Sequence, residues 1–315
     1  MRVLRACLPR HRNCARNQGE QRSHADPRPL LVIRDLRVAR FGVASPAAHE
    51  NKRGNILIIA GFSPAGTRAC SPTIGGEAVR ILYVFPHPDD ESFGPARAIA
   101  AQLRAGHEIY LLTLTRGEAT SVRHKFGWTL EEMGVARHRE MQEVRKTLEL
   151  TDLRVLSLPD GKLKELDPWT IEQAVREEIL RVKPHVVVTF PVHGISGFHD
   201  HIITHVTVTR AFLELRGTEH PWLQRLAYFT VVTAPADFPW HVNVTKPEEI
   251  DCTFDASDAD MERFHRALDC YVTYADVIAA TRIHEVFRKD VHFEIFRENH
   301  KPPLADLCDG LRADA

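Results

Sequence analysis

The rhythm of apolar positions sharpens near Val79. VRILYVF (79–85), EIYLLTLT (108–115), LRVLSL (153–158) and HVVVTF (185–190) are runs in which most positions are apolar. Short runs of this kind predict strands buried on both faces. Between them, GPARAIAAQLRAGH (94–107), TLEEMGVARHREMQEVRKTLEL (129–150) and DPWTIEQAVREEILRVKP (167–184) repeat apolar residues at helical spacing. A fourth helix is expected from about His201 to Leu215. Thr129 and Glu132 have the spacing of a capping box, and Pro168 suits the first turn of its helix. PDGKL (159–163) reads as a turn. Strand and helix in alternation specify parallel βαβ units, and so an α/β, Rossmann-like parallel sheet flanked by helices. In such sheets ligands bind beyond the carboxyl ends of the strands, where the strand order switches direction.

Further along, RLAYFTVVTA (225–234), IDCTFDA (250–256) and DVHFEIFR (290–297) look like strands around a helix expected over 257–284. They are read as completing the same domain. Three regions result: an N-terminal extension over 1–75, a domain over 76–300 and a C-terminal tail over 301–315. The extension stands apart by composition. Its first fifty residues hold ten Arg, no Lys and four acids. Only PLLVIRDLRV (29–38) and NILIIAGF (55–62) resemble strands there. A poorly ordered extension or a start assigned too far upstream is the expected reading; the Arg-rich start also fits a transit peptide.

Over the whole chain the formal charge is −1, which gives no footprint for nucleic acid. The six cysteines, at 7, 14, 70, 252, 270 and 308, include no CxxC pair, so they signal neither a zinc knuckle nor a redox dithiol. No apolar run approaches the roughly 20 residues that span a bilayer. A cytoplasmic protein with reduced thiols and no membrane span is expected, with homo-oligomerisation left open.

The chemistry gathers at two strand ends. PHPDDES (86–92) follows the first strand and places His87 and Asp90 three apart, so that one turn can aim both at one ion. Imidazole nitrogen and carboxylate oxygen suit zinc, although another divalent metal can substitute. Asp89, between them, is free to face a substrate and take a proton from a metal-activated water. The other reading of this segment is an Asp-rich turn capping a helix. After the fourth strand, VHGISGFHDHIITH (192–205) holds His193, His199, His201 and His205. A catalytic zinc needs three protein ligands and an open position, and this loop can supply the third. Asp200 could orient an imidazole from behind. His193 and His205 are read as structural and helix-surface residues.

These segments resemble the PIG-L/LmbE family of zinc-dependent N-deacetylases. FPHPDDES (85–92) is similar to its first signature, TLTRGEAT (113–120) to its second-strand segment, RHRE (137–140) to its RxxE element, LPDGKL (158–163) to its Asp-Gly turn, and GISGFHDHI (194–202) to its HxDH segment. The resemblance implies hydrolysis of the N-acetyl group of an N-acetylglucosamine-type amino-sugar conjugate. It implies His87, Asp90 and His201 as zinc ligands, Asp89 as general base, and Arg137 and Asp160 as residues that hold the sugar. Two departures stand out. Phe198 occupies the place of the histidine that helps stabilise the tetrahedral intermediate, with His199 one place later as its candidate replacement. Tyr271 and Tyr274 stand where the family tends to have His and a Ser/Thr-Gln pair. The alternatives are a catalytically impaired sugar-binding relative, or an amidase acting on a related sugar-thiol conjugate. A Rossmann nucleotide binder would need a Gly-rich first loop, which PHPDDES is not.

Overall fold

The computed structural model describes residues 73–74, 77–217 and 219–312. The strand-like segments at 29–38 and 55–62 lie outside them. The first described elements are a two-residue pair, β1 (Thr73–Ile74) and β2 (Glu77–Ala78). Then follow β3 (Arg80–Phe85), α1 (Ala96–Arg104), β4 (Glu108–Thr115), the short α2 (Arg123–Phe126), α3 (Leu130–Leu148), β5 (Asp152–Leu158), α4 (Pro168–Val182), β6 (Val186–Thr189), α5 (His199–Leu215) and β7 (Arg225–Thr230). The C-terminal part adds β8 (Cys252–Asp255), α6 (Asp258–Asp269), α7 (Ala275–Thr281), α8 (Ile283–Val286) and β9 (Asp290–Ile295).

The seven longer strands form one sheet in the order β5-β4-β3-β6-β7-β9-β8. From β3 the chain winds outward through β4 to β5, then returns to the other side of β3 as β6 and continues to β7. The switch point therefore lies between β3 and β6, and the first chemical segment leaves the end of one and the second the end of the other. The strands β3 to β7 are mutually parallel, as the alternation implies. The sheet as a whole is mixed, because β9 pairs antiparallel with both β7 and β8. The reason is where β9 begins. Asp290 pairs with Asp255, so the chain re-enters the sheet at the end where β8 left it and must run back.

Two apolar layers cover the faces. One packs Tyr83, Phe85, Met141, Phe229, Phe264 and Phe293 among its buried residues, and the other Leu82, Leu112, Ile171, Val187 and Phe212. β3 alternates between them, with Ile81, Tyr83 and Phe85 on one side and Leu82 and Val84 on the other. α3 starts with the capping box foreseen: Thr129 Oγ1 accepts from the Glu132 backbone, and the Glu132 carboxylate accepts from the Thr129 backbone.

The continuous helix expected over 257–284 is broken instead. It is interrupted after α6 by a 3₁₀ turn, Val272–Tyr274, and resumes as α7 and α8. Tertiary bonds explain the break. Glu140 on α3 accepts from the backbone and hydroxyl of Thr273, and the Tyr271 side chain is drawn inward to 0% exposure. The segment 301–312, set apart above as a tail, packs on the domain. Leu307 is fully buried, and Arg225 donates to the carbonyls of Leu307 and Asp309.

Candidate active site

The first chemical segment turns sharply as it leaves β3. Asp89 has φ of +94°, a left-handed conformation rarely adopted by non-glycine residues, and its surroundings hold it there. Its backbone nitrogen donates to the Tyr271 hydroxyl at 2.8 Å. Its carboxylate accepts from Arg137 Nη2 at 2.7 Å. The same Nη2 donates to the Pro88 carbonyl. The result separates neighbouring carboxylates: Asp90 turns into the protein, and Asp89 faces the cleft with 17% of its side chain exposed.

His87, Asp90 and His201 come together as the spacing suggested, with one ligand atom from each lying within 4.8 Å of the others. Asp90 bridges the pair: its Oδ2 lies 3.5 Å from His87 Nδ1 and its Oδ1 3.3 Å from His201 Nε2. The outer nitrogens of both rings meet acceptors. His87 Nε2 lies 3.3 Å from Asp200 Oδ2 and 3.3 Å from Asp160 Oδ1, while His201 Nδ1 faces the Gly194 carbonyl at 2.9 Å. Outer acceptors of this kind fix the tautomer that leaves the inner nitrogen's lone pair for an ion. The donor set of two imidazoles and a carboxylate, together with these outer bonds, fits a divalent transition metal.

Asp200 takes the orienting position the sequence suggested for it. It sits in the first turn of α5 and also accepts from the backbones of Gly161 and Leu163. Asp160, expected to hold a sugar, is 9% exposed and lines the cleft, with its other oxygen accepting from the Ala119 backbone at 2.7 Å. Arg137 is only 1% exposed, yet it too lines the cleft, and among the described residues its Nε and Nη1 have no hydrogen-bond partner. The Tyr274 ring lies under its guanidinium at 3.8 Å. His199 opens α5 and is exposed at the cleft wall beside Phe198, which is 59% exposed. Phe198 meets the His201 ring edge-on at 5.7 Å between centroids. His193 is tied to Thr245, and His205 bonds the Phe190 carbonyl from a half-buried place against Tyr228.

The charges are arranged unevenly. Burial pushes the Asp89 carboxyl up to about 6, against the pull of the Arg137 guanidinium. Burial also opposes ionisation of Asp90, but His201 and His87 outweigh it and hold its pKa below the usual carboxylate value. For His87, burial disfavours the charged ring, and the bonds from Asp200 and Asp90 overcome it, raising the pKa to about 10. An imidazole so strongly drawn to its carboxylates marks a place where a cation is favoured.

The parts that two residues play here escaped the sequence reading. Tyr271 donates to Glu91 Oε1 at 2.6 Å while accepting from the Asp89 backbone, and Glu91, buried, has its carboxyl pushed up to about 7. Glu91 stands within the first motif and could have been suspected. Tyr271, far along the chain, stands out in the sequence only as a departure from the family pattern, and no local signal gives it this role. The cleft encloses about 630 Å³, and its outer wall is largely apolar, with Phe93, Phe229, Phe238, Trp240 and Phe287.

Fold and site together define a Rossmann-like domain, with a group of two histidines and an aspartate that could hold a metal and an adjoining carboxylate at the switch point of its sheet. Residues 82–212 match the family model of PIG-L, GlcNAc-PI de-N-acetylase. Over that segment the chain is similar to the PIG-L/LmbE family. It is 32% identical over 165 residues to a 1D-myo-inositol 2-acetamido-2-deoxy-alpha-D-glucopyranoside deacetylase of Kineococcus radiotolerans, covering 44% of this chain and 46% of that one. It is 34% identical over 122 residues to a probable N-acetyl-alpha-D-glucosaminyl L-malate deacetylase 2 of Bacillus subtilis, covering 38% and 55%. The match thus spans about half the length of these relatives. Among solved structures, the deacetylase–teicoplanin complex superposes with a TM-score of 0.53 at 15% identity, over 70% of this chain and all of the other, a likeness of fold. No helix among the described residues is long and apolar enough to cross a membrane.

Proposed function

We propose that this chain is a zinc-dependent hydrolase that removes the N-acetyl group from an N-acetylglucosamine-type conjugate. The observation that carries the reading is the division between adjacent carboxylates: Asp90 locked into the His87–His201 pair, Asp89 held beside it facing the cleft. The relatives, named as deacetylases of N-acetylated amino-sugar conjugates, support the substrate class.

His87, Asp90 and His201 would hold the metal. Zinc, if bound by these residues, would supply Lewis acidity for the hydrolysis. Asp89 accepts the proton of the attacking water and delivers it to the amide nitrogen as the C–N bond breaks, so that acetate and a free amine result. Arg137 fixes the Asp89 carboxylate, and Arg137 and Asp160, both lining the cleft, would hold the sugar. His199, on the cleft wall, donates to the developing oxyanion. The apolar outer wall suits a conjugate whose remaining part is itself apolar. Phe198, standing where the family has a histidine, favours the second reading, a sugar-binding relative with impaired catalysis.

The test is elemental analysis of the purified chain combined with a screen for release of free amine from N-acetylglucosamine conjugates bearing polar and apolar aglycones. Zinc together with amine release that His87→Ala abolishes supports the proposal. Zinc and saturable binding with no amine release from any conjugate would replace it with the sugar-binding reading.

A further inference from the structure

A second group of metal-binding side chains lies away from the cleft. His107 stands in the loop between α1 and β4, and Asp306 and Cys308 stand in the C-terminal segment. One ligand atom from each lies within 4.8 Å of the others. None of the three lines the cleft. His107 is 3% exposed, and among the described residues neither of its ring nitrogens has a hydrogen-bond partner. A buried imidazole ordinarily satisfies at least one nitrogen, so the ring faces a partner that the described residues do not provide by hydrogen bonding.

The opposing segment is built to present its ligands. Asp306 accepts from the Cys308 backbone at 2.7 Å, which fixes both residues in one turn. Leu307, between them, is fully buried and anchors that turn in the core. Cys308 is itself 8% exposed, whereas Asp306 is only partly buried. The group is therefore closed on the protein side and reachable from solvent past Asp306.

We propose that His107, Asp306 and Cys308 bind a zinc ion that ties the C-terminal segment to the α1–β4 loop. Imidazole, thiolate and carboxylate are all zinc ligands, and a thiolate among them disfavours magnesium and calcium. Water fills the fourth position on the Asp306 side. Cys308 binds as the thiolate, releasing its proton to solvent. The site is structural: it joins residues about two hundred positions apart and takes no part in the chemistry of the cleft. It differs from the first cluster in one decisive respect, since His87, Asp90 and His201 include no sulfur.

That difference provides the test. The full-length chain is stripped of metal and reloaded with cobalt(II), and the near-ultraviolet thiolate-to-cobalt charge-transfer absorption is recorded for the parent, Cys308→Ser, His107→Ala and His87→Ala. The band should be present in the parent, absent from Cys308→Ser and His107→Ala, and retained in His87→Ala. Zinc-loaded parent should carry about two ions per chain, and each of the three variants about one. If His107→Ala does not fold, Asp306→Asn, at the solvent side, carries the same expectation of weakened loading. A parent without the band, or a Cys308→Ser protein that keeps it, would overturn the proposal. The band reads this site whatever the first cluster holds, so failure here leaves the reading of the cleft standing, and failure there leaves this one.

Discussion

The hydroxyl of Tyr271 lies 2.8 Å from the backbone nitrogen of Asp89, a residue 182 positions earlier whose φ of +94° no local signal would favour. One tyrosine thus props the turn that sets Asp89 apart from Asp90, and the same hydroxyl donates to buried Glu91. Tyr271→Phe removes both bonds and leaves the Glu91 carboxyl without one of its donors. We expect a loss of stability of about 1–3 kcal/mol, measured by chemical denaturation, with metal content unchanged and turnover reduced. A variant as active and as stable as the parent would show that the turn holds itself.

Asp89 and Asp90 should fail in different ways. Asp90→Asn should lose metal as well as rate, because its carboxylate sits between the two imidazoles. Asp89→Asn should keep its metal and lose at least about a hundredfold in rate, the scale of general-base catalysis. Metal content and turnover of both variants decide the matter. Equal metal loss in both, or near-parental turnover in Asp89→Asn, contradicts the division.

Acid should act on a bond far from the cleft. Burial alone would raise the Asp260 carboxyl, but Arg104 and the Ser257 cap outweigh it and hold its pKa below 3.8. A carboxylate depressed in the folded state contributes stability that is complete above its unfolded pKa and disappears as pH falls through the folded one. The stability gap between the parent and Asp260→Asn should therefore be full above about pH 4 and shrink as the solution is acidified below it. Denaturation midpoints at several pH values read this directly; a gap that widens in acid would refute it.

Removal of residues 301–315 should cost far more than the trimming of a loose end. Leu307 leaves a fully buried place, and Arg225, itself 5% exposed, loses the carbonyls of Leu307 and Asp309. Burial of one Leu side chain is worth roughly 1.5–3 kcal/mol, and an abandoned buried donor adds about 1–3 kcal/mol. Thermal melting of the truncated chain should show a much lower midpoint than the parent.

The convergence of His87, Asp90 and His201 was legible because each obeys local rules. His87 and Asp90 share a turn, and that turn leaves one parallel strand while the loop to His201 leaves its neighbour, so the sheet itself brings them together. The Thr129 cap and the helix starting at Pro168 were readable for the same reason. What stayed hidden depends on distant partners. The direction of β9 is invisible in an alternation of strands and helices, which says nothing about the end at which a chain re-enters a sheet. The break after α6 arises from bonds to Glu140, Glu91 and Asp89, and the helical period of 257–284 contains no trace of them. Arg137 on a helix reads as a surface residue and is instead almost fully buried against Asp89.

The C-terminal segment also changes what the sheet offers to other chains. β8 is the outermost strand on its side, and such a strand exposes unpaired backbone groups that can recruit a strand from another molecule. Here Leu304 lies alongside it: the Thr253 nitrogen donates to the Leu304 carbonyl, and the Leu304 nitrogen donates to the Asp251 carbonyl. Among the described residues, the C-terminal segment thereby covers part of the β8 edge, one of the sheet's two outer strands, and a molecule that sheds it would expose backbone groups open to pairing with another chain.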